Sequence, residues 1–263
     1  MIKKKLLLIG KYSFISSNLY LSLKNKLIIK KVSFEKFKKF KIKKIESFDY
    51  ICNCSIHKKY INERYKNNND IDYYVVKRLK NLSPKFIFLS SRKIYPSKPN
   101  LNENTFPNPR DSYSKNKLIT ENKIKKYLNS KLIILRISNI IGKPLKKSNR
   151  KVSQTFIDNF FKYKKNQKVI YENHYKDFLS IDQFSKIFYE ILIRDPIGIF
   201  NISLGKKVYI SEILKVLNLK RSIKFEKVDI KNKDSFYLNN KKLKKLIKIK
   251  ITKMELLDYC SKI

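Results

Sequence analysis

Apolar and polar residues along the chain alternate between two patterns, one typical of strands and one typical of helices. Short apolar runs rich in β-branched and aromatic residues indicate buried strands, and stretches with apolar residues three or four apart indicate helices. The predicted strands are Lys5–Gly10, Lys26–Val32, Asp49–Ser55, Phe86–Ser91, Lys131–Ser138 and Gly198–Ser203. The predicted helical runs are Asn18–Leu23, a long stretch that ends near Leu79, Tyr113–Tyr127, Gln154–Tyr163, Gln183–Ile193 and Ile210–Leu217. This alternation predicts an α/β fold with a Rossmann-like, doubly wound parallel sheet.

Beyond Gly142 the pattern is less regular and predicts a smaller C-terminal lobe. Residues 146–151 are predicted to form a polar, basic loop, a further strand is predicted near Ile223–Val228, and basic helices are predicted from there to the end. With 263 residues the chain is long enough for one large α/β domain, or for one domain with a small lobe.

The first predicted strand, turn and helix are arranged as at the start of a dinucleotide-binding unit, where helix amides meet a pyrophosphate. Gly10, Ser13 and Ser16 stand where Gly-x-x-Gly-x-x-Gly is expected. The serines add side chains where the backbone approaches phosphate, so the turn taken alone is better explained as an ordinary strand-to-helix connection.

The end of the second predicted strand lacks the acidic residue that usually accepts the ribose hydroxyls of NAD. Ser33 lies near that place and is preceded by two lysines. A serine beside lysines tolerates a 2′-phosphate, so the sequence leaves NAD and NADP open.

Two stretches carry candidate chemistry: Phe86–Ser91, which ends in two serines, and Tyr113–Lys117. Tyr113 and Lys117 are four residues apart and therefore lie on one face of a helix. We expect the Lys117 ammonium to lower the pKa of the Tyr113 phenol, which makes it a usable acid or base near neutral pH. Ser91, at the end of a neighbouring strand, is expected to hold a carbonyl or alcohol oxygen. A Tyr-x-x-x-Lys pair alone is better explained by a solvated helix face, and only the order of the other segments favours chemistry.

The formal net charge is +41, from 62 Lys and Arg against 21 Asp and Glu. Such a charge by itself favours nucleic acid or an anionic membrane as a partner. However, the lysines are spread along the whole chain, and the sequence has no alanine, four glycines and eight arginines, which indicates drift in genomic base composition. We therefore predict no specific nucleic-acid partner, and the charge suits small anionic ligands such as nucleotide diphosphates.

The three cysteines, Cys52, Cys54 and Cys260, have no paired metal-ligand spacing with histidine, so no metal site is predicted. An odd count in a chain of this length indicates a reducing compartment. No stretch approaches the roughly 18 uninterrupted apolar residues of a membrane span, and the apolar run at the N-terminus is too short for a signal peptide. We predict a cytoplasmic protein with no membrane partner.

Several segments, in this order, are similar to the motifs of one enzyme family. They are Gly10–Ser16 as a phosphate loop, Asp49–Ser55 as a strand beside the cofactor, Ser90–Tyr95 as Ser-Ser-x-x-Val-Tyr, Tyr113–Lys117 with Glu121 as a Tyr-x-x-x-Lys helix, Leu135–Gly142 as Arg-x-x-Asn-x-x-Gly, and Asp177–Asp182 and Phe200–Gly205 as substrate-lobe segments. The chain resembles the extended short-chain dehydrogenase/reductases, the NAD-dependent epimerase/dehydratase family that acts on nucleotide sugars. The resemblance covers nearly the whole chain. It implies an NAD(P)-binding Rossmann domain over residues 1–150, and a substrate-binding lobe over most of 151–263 with some segments returning to the Rossmann core.

The resemblance also implies residue roles. With the turn and strand-end residues above, the cofactor-binding set is Gly10, Ser13, Phe14, Ile15, Ser33, Cys54, Ser55, Tyr113 and Lys117. The catalytic set is Ser91, Tyr113 and Lys117, and the substrate-binding set is Ser91, Asn139 and Lys176. Tyr113 is the acid/base, Lys117 also holds the nicotinamide ribose, and Ser91 positions the sugar oxygen. Lys176 stands where the family often has an arginine on the diphosphate, so a point charge replaces a bidentate contact.

The residues after Ser91 narrow the implied reaction. Family dehydratases and decarboxylases usually place a carboxylate there, whereas this chain has Arg92 and Lys93. The resemblance therefore implies C4 epimerisation or keto-sugar reduction of a nucleotide-linked sugar, with NAD or NADP as cofactor and a possible homodimer. Two other interpretations remain: a degenerate member that binds dinucleotide or nucleotide sugar without turnover, and, from charge alone, a protein that binds RNA or a membrane surface.

Overall fold

The computed structural model describes residues 3–143, 160, 162–163, 166–220, 222–228 and 234–263. The loop predicted over 146–151 and nearly all of the helix predicted over 154–163 lie outside the described residues. The described strands are β1 (Lys5–Ile9), β2 (Ile28–Val32), β3 (Tyr50–Asn53), β4 (Lys85–Ser91), β5 (Leu132–Ile137), β6 (Asn139–Ile141), β7 (Lys168–Glu172), β8 (Tyr175–Lys176), β9 (Phe178–Ser180), β10 (Gly198–Ile202), β11 (Val208–Tyr209) and β12 (Lys224–Val228). The described α-helices are α1 (Phe14–Leu23), α2 (Phe34–Lys38), α3 (Ile42–Glu46), α4 (Lys58–Asn62), α5 (Ile71–Leu79), α6 (Ser112–Leu128), α7 (Ile181–Arg194), α8 (Ile210–Leu217), α9 (Lys241–Leu246) and α10 (Lys253–Lys262).

Six parallel strands form the central sheet in the order β10-β5-β4-β3-β1-β2. The chain runs from β1 to β2 on one side and continues from β3 to β10 on the other. The order therefore reverses between β1 and β3, and in such sheets ligands bind in the crevice outside the carboxyl ends of the strands at that point. The predicted α/β, doubly wound parallel sheet is confirmed.

Helices cover both faces of the sheet, as the alternation of side chains in β1 illustrates. Leu6 and Leu8 are fully buried in one core, together with residues of α1 and α7. Leu7 and Ile9 are fully buried in a second core, together with residues of α2, α3, α5 and α6. A strand buried on both faces needs a continuous apolar run, which is what the sequence has there.

Outside the central sheet, the described part of the chain has three two-stranded sheets. β6 pairs with β9 and β7 with β12, both in parallel, and β8 pairs with β11 in the antiparallel direction. The pairs belong to the C-terminal half, but β10 from the same half joins the central sheet beside β5. The division into two domains at residue 150 stays a prediction.

Two helices differ from their predicted extents because of caps. α1 begins at Phe14 rather than Asn18, since the Ser13 side chain accepts a hydrogen bond from a first-turn amide. The stretch predicted to end near Leu79 is two α-helices, α4 and α5, because Asp70 caps a new helix. In the described residues, no helix combines the length and apolar character needed to cross a membrane.

A buried polar network fixes α6 against β4 and β5. Glu121 is fully buried and accepts hydrogen bonds from Arg136 Nη2 at 2.8 Å, from Arg136 Nε at 3.2 Å and from the Ser90 hydroxyl. Arg136 Nη1 donates to the Tyr95 hydroxyl at 2.7 Å, which donates to Asn201 Oδ1 at 3.0 Å. The helix that carries Tyr113 is therefore held rigidly beside the strand that ends at Ser91.

Candidate active site

The turn between β1 and α1 is closed by its own residues. Gly10 has φ +111°, and a Cβ there would lie 2.7 Å from Ser55 Oγ and 3.0 Å from the Cys54 carbonyl carbon, so glycine is required. The Ser13 hydroxyl accepts a hydrogen bond from the Ser16 amide at 3.1 Å, and the buried Ser16 hydroxyl donates to the Gly10 carbonyl oxygen. The serines point their hydroxyls into the turn and keep it tight.

The predicted cofactor residues around this turn lie together. The Gly10 amide donates to the Val32 carbonyl of β2 and the Cys54 amide to the Ile9 carbonyl of β1, both at 2.7 Å, so the carboxyl ends of three strands meet. Phe14 and Ile15 form the first turn of α1 and are half-buried. The space beside Gly10 is taken by the Ser55 loop. The N-terminus of α1 lies next to the carboxyl ends of these strands, where the helix dipole favours a dinucleotide pyrophosphate, so the residues present fit such a cofactor.

Ser33 lies at the exposed end of β2 and caps α2 by accepting a hydrogen bond from the Lys36 amide at 3.2 Å. Lys31, two residues earlier, has its ammonium 4.7 Å from the centre of the Tyr20 ring. Burial and the charge of Lys11 lower the pKa of Lys31. Lys31 of β2 and Lys11 of the turn after β1 are therefore close enough to act on each other electrostatically, where a cofactor ribose is expected.

Tyr113 and Lys117 lie in the first two turns of α6. Lys117 is only 5% exposed, and its ammonium is 4.5 Å from the centre of the Phe88 ring of β4. Burial alone would lower the pKa of Lys117, but the charges of Asp72, Tyr113 and Asp70 raise it. The Tyr113 phenol and the Lys117 ammonium are thus within electrostatic reach of each other.

A buried carboxylate that sequence analysis missed holds this lysine. Asp72 of α5 lies 3.3 Å from Lys117 Nζ through Oδ2 and accepts a hydrogen bond from Asn53 Nδ2 through Oδ1 at 2.9 Å. The available signal was its position in the sequence: Asp72 is on the face of α5 that also carries the fully buried Val75 and Val76. A charged residue on an apolar helix face requires a partner.

Ser91 ends β4, is partly exposed, and accepts a hydrogen bond from the Lys93 amide at 3.2 Å. The Lys93 ammonium lies 6.0 Å from the centre of the Tyr113 ring and forms an ion pair with Asp111 at 2.9 Å. Lys93 therefore contacts Ser91 through its backbone amide and approaches the Tyr113 ring through its ammonium. The predicted catalytic residues lie near the end of the sheet at which β4 terminates.

The predicted diphosphate contact Lys176 belongs to a cluster centred on Asp234. Asp234 Oδ2 lies 2.9 Å from Arg92 Nη2 and 3.3 Å from Lys176 Nζ, and the Ser97 hydroxyl donates to the same carboxylate. The Arg92 guanidinium stacks on Phe236 at 3.7 Å. Burial alone would raise the pKa of Asp234, but hydrogen bonds from Arg92 and Ser97 and the charges of Arg92 and Lys176 lower it well below its usual range.

Asn139 begins β6, and its backbone amide donates a hydrogen bond to the backbone carbonyl of Asp177 at 3.3 Å. Asp177 is fully buried and accepts hydrogen bonds from the amides of Leu204, Gly205 and Leu238 at 2.9, 3.0 and 3.1 Å. Burial raises the pKa of Asp177 to about 7 despite these hydrogen bonds, which lower it. Asp177, which follows Lys176 directly, therefore connects the start of β6 at Asn139 with the segments around Leu204 and Leu238 through hydrogen bonds.

The doubly wound sheet, with a glycine turn after its first strand and a tyrosine–lysine helix beside β4, defines the class of Rossmann-like proteins. A family model described as the NAD-dependent epimerase/dehydratase family matches residues 35–203, more than half of the chain. The chain belongs to this family, as its motifs predicted. A comparison with curated protein sequences finds no match.

Solved structures of this family share the fold over nearly the whole chain. A UDP-N-acetylglucosamine 4-epimerase from Methanobrevibacter ruminantium M1, in complex with UDP-N-acetylmuramic acid, has a TM-score of 0.78 at 19% identity and covers 99% of this chain and 97% of its own. RMD from Pseudomonas aeruginosa, complexed with NADPH, has a TM-score of 0.72 at 15% identity, with coverage of 98% and 99%. UDP-glucuronic acid 4-epimerase from Bacillus cereus, in complex with NAD, has a TM-score of 0.68 at 16% identity, with coverage of 98% and 99%. A cofactor of the NAD or NADP type is typical of the family, in agreement with the sequence prediction.

Proposed function

We propose that this protein is an NAD(P)-dependent enzyme that acts on a nucleotide-linked sugar by hydride transfer, either as a C4 epimerase or as a keto-sugar reductase. The observation that carries the proposal is the buried Lys117 four residues after Tyr113. A lysine is almost never this buried unless it is paired, and the Lys117 ammonium is paired with Asp72 while it interacts electrostatically with the Tyr113 phenol. Its ammonium under a tyrosine, beside a strand that ends in Ser91, suits proton transfer at a sugar hydroxyl.

In this proposal Tyr113 exchanges the proton of the reacting hydroxyl, and the positive charge of Lys117 acts on it from the same helix face. Ser91 donates or accepts a hydrogen bond at the same sugar oxygen and fixes its position. When bound, NAD or NADP supplies the acceptor or donor of the hydride. The residues that would hold it are Gly10 and the first turn of α1 at the pyrophosphate, Cys54 and Ser55 at the end of β3, and Ser33 at the adenosine ribose.

The substrate end of the proposed site lies in the C-terminal half. Lys176 is proposed to contact the diphosphate of the nucleotide, and Asn139 to face the nucleotide sugar. Arg92 and Lys93 follow Ser91 in place of an acid, and the nearby Asp234 has a pKa too low to act as a general acid. These features support epimerisation or reduction over dehydration.

The test begins with absorbance and mass analysis of the purified protein for bound NAD(H) or NADP(H). Wild type, Tyr113→Phe and Tyr127→Phe are then offered UDP- and dTDP-sugars, and products are followed by chromatography. Tyr127 is a matched control, since it lies on the same helix about 20 Å along its axis. Conversion that is lost in Tyr113→Phe and kept in Tyr127→Phe is the expected result.

The cofactor result separates the two reactions. Cofactor that co-purifies, with sugar conversion and no net oxidation, indicates an epimerase, and cofactor that is added and then consumed by a keto-sugar indicates a reductase. No binding at millimolar dinucleotide would contradict the proposal, since the serine-closed turn would then exclude the cofactor. Binding without conversion of any sugar would instead indicate the degenerate, non-catalytic alternative.

Two further expectations concern state and location. We propose a homodimer that pairs through α6 and its neighbour α5, as the family resemblance implies, and a monomer in sedimentation at micromolar concentration would contradict it. The three cysteines are all free, which suits the reducing compartment proposed for the protein, the cytoplasm.

A further inference from the structure

The ion pair between Asp72 and Lys117 lies under the proposed active site. Both side chains are only 7% exposed, and the two charged atoms are 3.3 Å apart. Moving two charges out of water costs more than their attraction returns unless other hydrogen bonds support them, so a buried pair is a poor device for stability alone. Its position within electrostatic reach of Tyr113 indicates a use in the site.

The pair is connected to the loop that borders the proposed cofactor site. Asn53, at the end of β3, donates to Asp72 Oδ1 at 2.9 Å and to the Ser55 carbonyl at 3.0 Å, and it accepts from the Ser55 amide at 2.9 Å. One chain of hydrogen bonds therefore runs from Ser55 through Asn53 and Asp72 to Lys117. A movement of this loop reaches the lysine through fixed polar contacts.

We propose that Asp72 is a positioning residue of the active site, which holds the Lys117 ammonium in place as its counter-charge and couples it through Asn53 to the Ser55 loop. This inference rests on the proposed function, because Lys117 acts on Tyr113 and on the cofactor only in that function. Asp72 itself touches neither substrate nor cofactor, and acts through Lys117.

The charges around Asp72 give the proposal a pH signature. The groups that face it are Lys117 from α6, Asp70 from its own helix, Cys52 from β3 and the phenols of Tyr60 and Tyr65. Burial raises the pKa of Asp72 to about 6, against the opposing charge of Lys117. Below that pH Asp72 takes up a proton and Lys117 loses its counter-charge, so activity should fall on the acid side in wild type and lose that dependence in Asp72→Asn.

Asp70 provides a matched control. It is a carboxylate of equal burial two residues away, 1% exposed, which contacts the Thr120 hydroxyl at 2.6 Å, the Tyr65 hydroxyl at 2.8 Å and the Tyr73 amide at 2.9 Å. Asp70→Asn therefore disturbs the same buried region through hydroxyl and amide contacts. Because the charge of Asp70 acts on Lys117 without touching it, the comparison separates direct contact with the ammonium from charge at a distance. Asparagine also keeps the capping interaction at the start of α5.

The experiment compares wild type, Asp72→Asn, Asp70→Asn, Lys117→Met and the double variant Asp72→Asn with Lys117→Met. We measure kcat and KM for the nucleotide sugar from about pH 5 to 9, dinucleotide affinity by fluorescence, and thermal unfolding. Asp72→Asn should lower kcat by about 10- to 100-fold, the cost of a misplaced catalytic group, with KM within about threefold. In the Lys117→Met background the same substitution should change kcat little, because its target is already absent.

Three results of this comparison would contradict the positioning role of Asp72. Equal losses in Asp72→Asn and Asp70→Asn, an unchanged acid limb, or a further large loss in the double variant would overturn the proposal. Wild type that binds no dinucleotide and converts no sugar overturns the proposed function and, with it, the catalytic part of this inference. The unfolding data then decide the pairing separately: non-additive shifts in Tm for the Asp72 and Lys117 variants support it, and additive shifts overturn it.

Discussion

Glu121→Gln is predicted to destabilise the protein strongly, because it breaks a buried charge network without changing side-chain size. Gln keeps one carbonyl oxygen, which is able to accept from Ser90 and from Arg136 Nε as Glu121 Oε1 does now. The other oxygen becomes an amide NH2 that faces Arg136 Nη2, where the wild type has a hydrogen bond of 2.8 Å. Two donors then face each other, and a guanidinium on a side chain 4% exposed has no counter-charge.

Breaking a buried ion pair by removing one partner costs about 3–5 kcal/mol. At about 2–4 °C per kcal/mol for a domain of this size, Tm should fall by roughly 6–20 °C. The control is Asp258→Asn, which breaks an exposed pair with Lys262 whose side chains are 57% and 69% accessible. Exposed pairs contribute less than about 1 kcal/mol, so the control should stay within a few degrees of wild type.

Tm is measured by differential scanning calorimetry for wild type, Glu121→Gln, Arg136→Met, the double variant with both changes, and the control Asp258→Asn. The double variant should lose less stability than the sum of its two single changes, since methionine leaves no unpaired charge. A fall in Tm no larger than that of Asp258→Asn would refute the reasoning, because it would mean that water or another group compensates Arg136.

Three further predictions concern the sites around this network. Asp234→Asn should lower Tm at pH 7, and the difference in Tm from wild type should begin to shrink below about pH 4 and go on shrinking towards the lowered folded pKa, because a carboxylate with a lowered pKa contributes its full stability above the pKa of the unfolded chain and loses it as the pH falls through the folded pKa; a difference of constant size in unfolding scans would contradict this. Gly10→Ala should weaken dinucleotide binding in a fluorescence titration more than Gly198→Ala does. Both glycines have positive φ, but only a Cβ at position 10 would press against Ser55, so equal losses of affinity would show that the contact between Gly10 and the Ser55 loop does not matter for binding. Lys31→Gln should weaken NADP binding about tenfold and NAD binding little, and equal losses would argue against a 2′-phosphate contact.

Local pattern was sufficient for the fold, and it supplied the candidate residues of the proposed site. The apolar run of β1 and the serine-terminated run of β4 each follow from burial of a strand between helices, and the four-residue spacing of Tyr113 and Lys117 follows from helical geometry. The short strands β6, β8 and β9 were not predicted as strands, because two- and three-residue strands leave no periodicity to detect, and the five-residue β7 was not predicted either.

The partners of the site residues could not be predicted, because they come from distant parts of the chain. Asp72 is 45 residues from Lys117, and Asp234 is 142 residues from Arg92. Helical spacing placed Lys117 on the same face of α6 as Tyr113, but it gave no sign of the Asp72 carboxylate that contacts the Lys117 ammonium. Pairing across elements depends on the order of strands in the sheet, which the sequence indicates only through a whole-chain resemblance.

Acidic residues are scarce in this chain, 21 against 62 basic ones, yet several pair with buried or half-buried cations in or near the proposed site. The pairs are Asp72 with Lys117, Glu121 with Arg136, and Asp234 with Arg92 and Lys176. Neutralising one of these acids changes the net charge by one in 41, but it leaves a buried cation unpaired in a medium of low dielectric. Neutralising an exposed lysine changes the net charge by the same amount. Salt, however, largely screens the interactions of an exposed charge with groups more than about 10 Å away. Function in this protein should therefore depend on local counter-charges, and the high net charge carries little information about its partner.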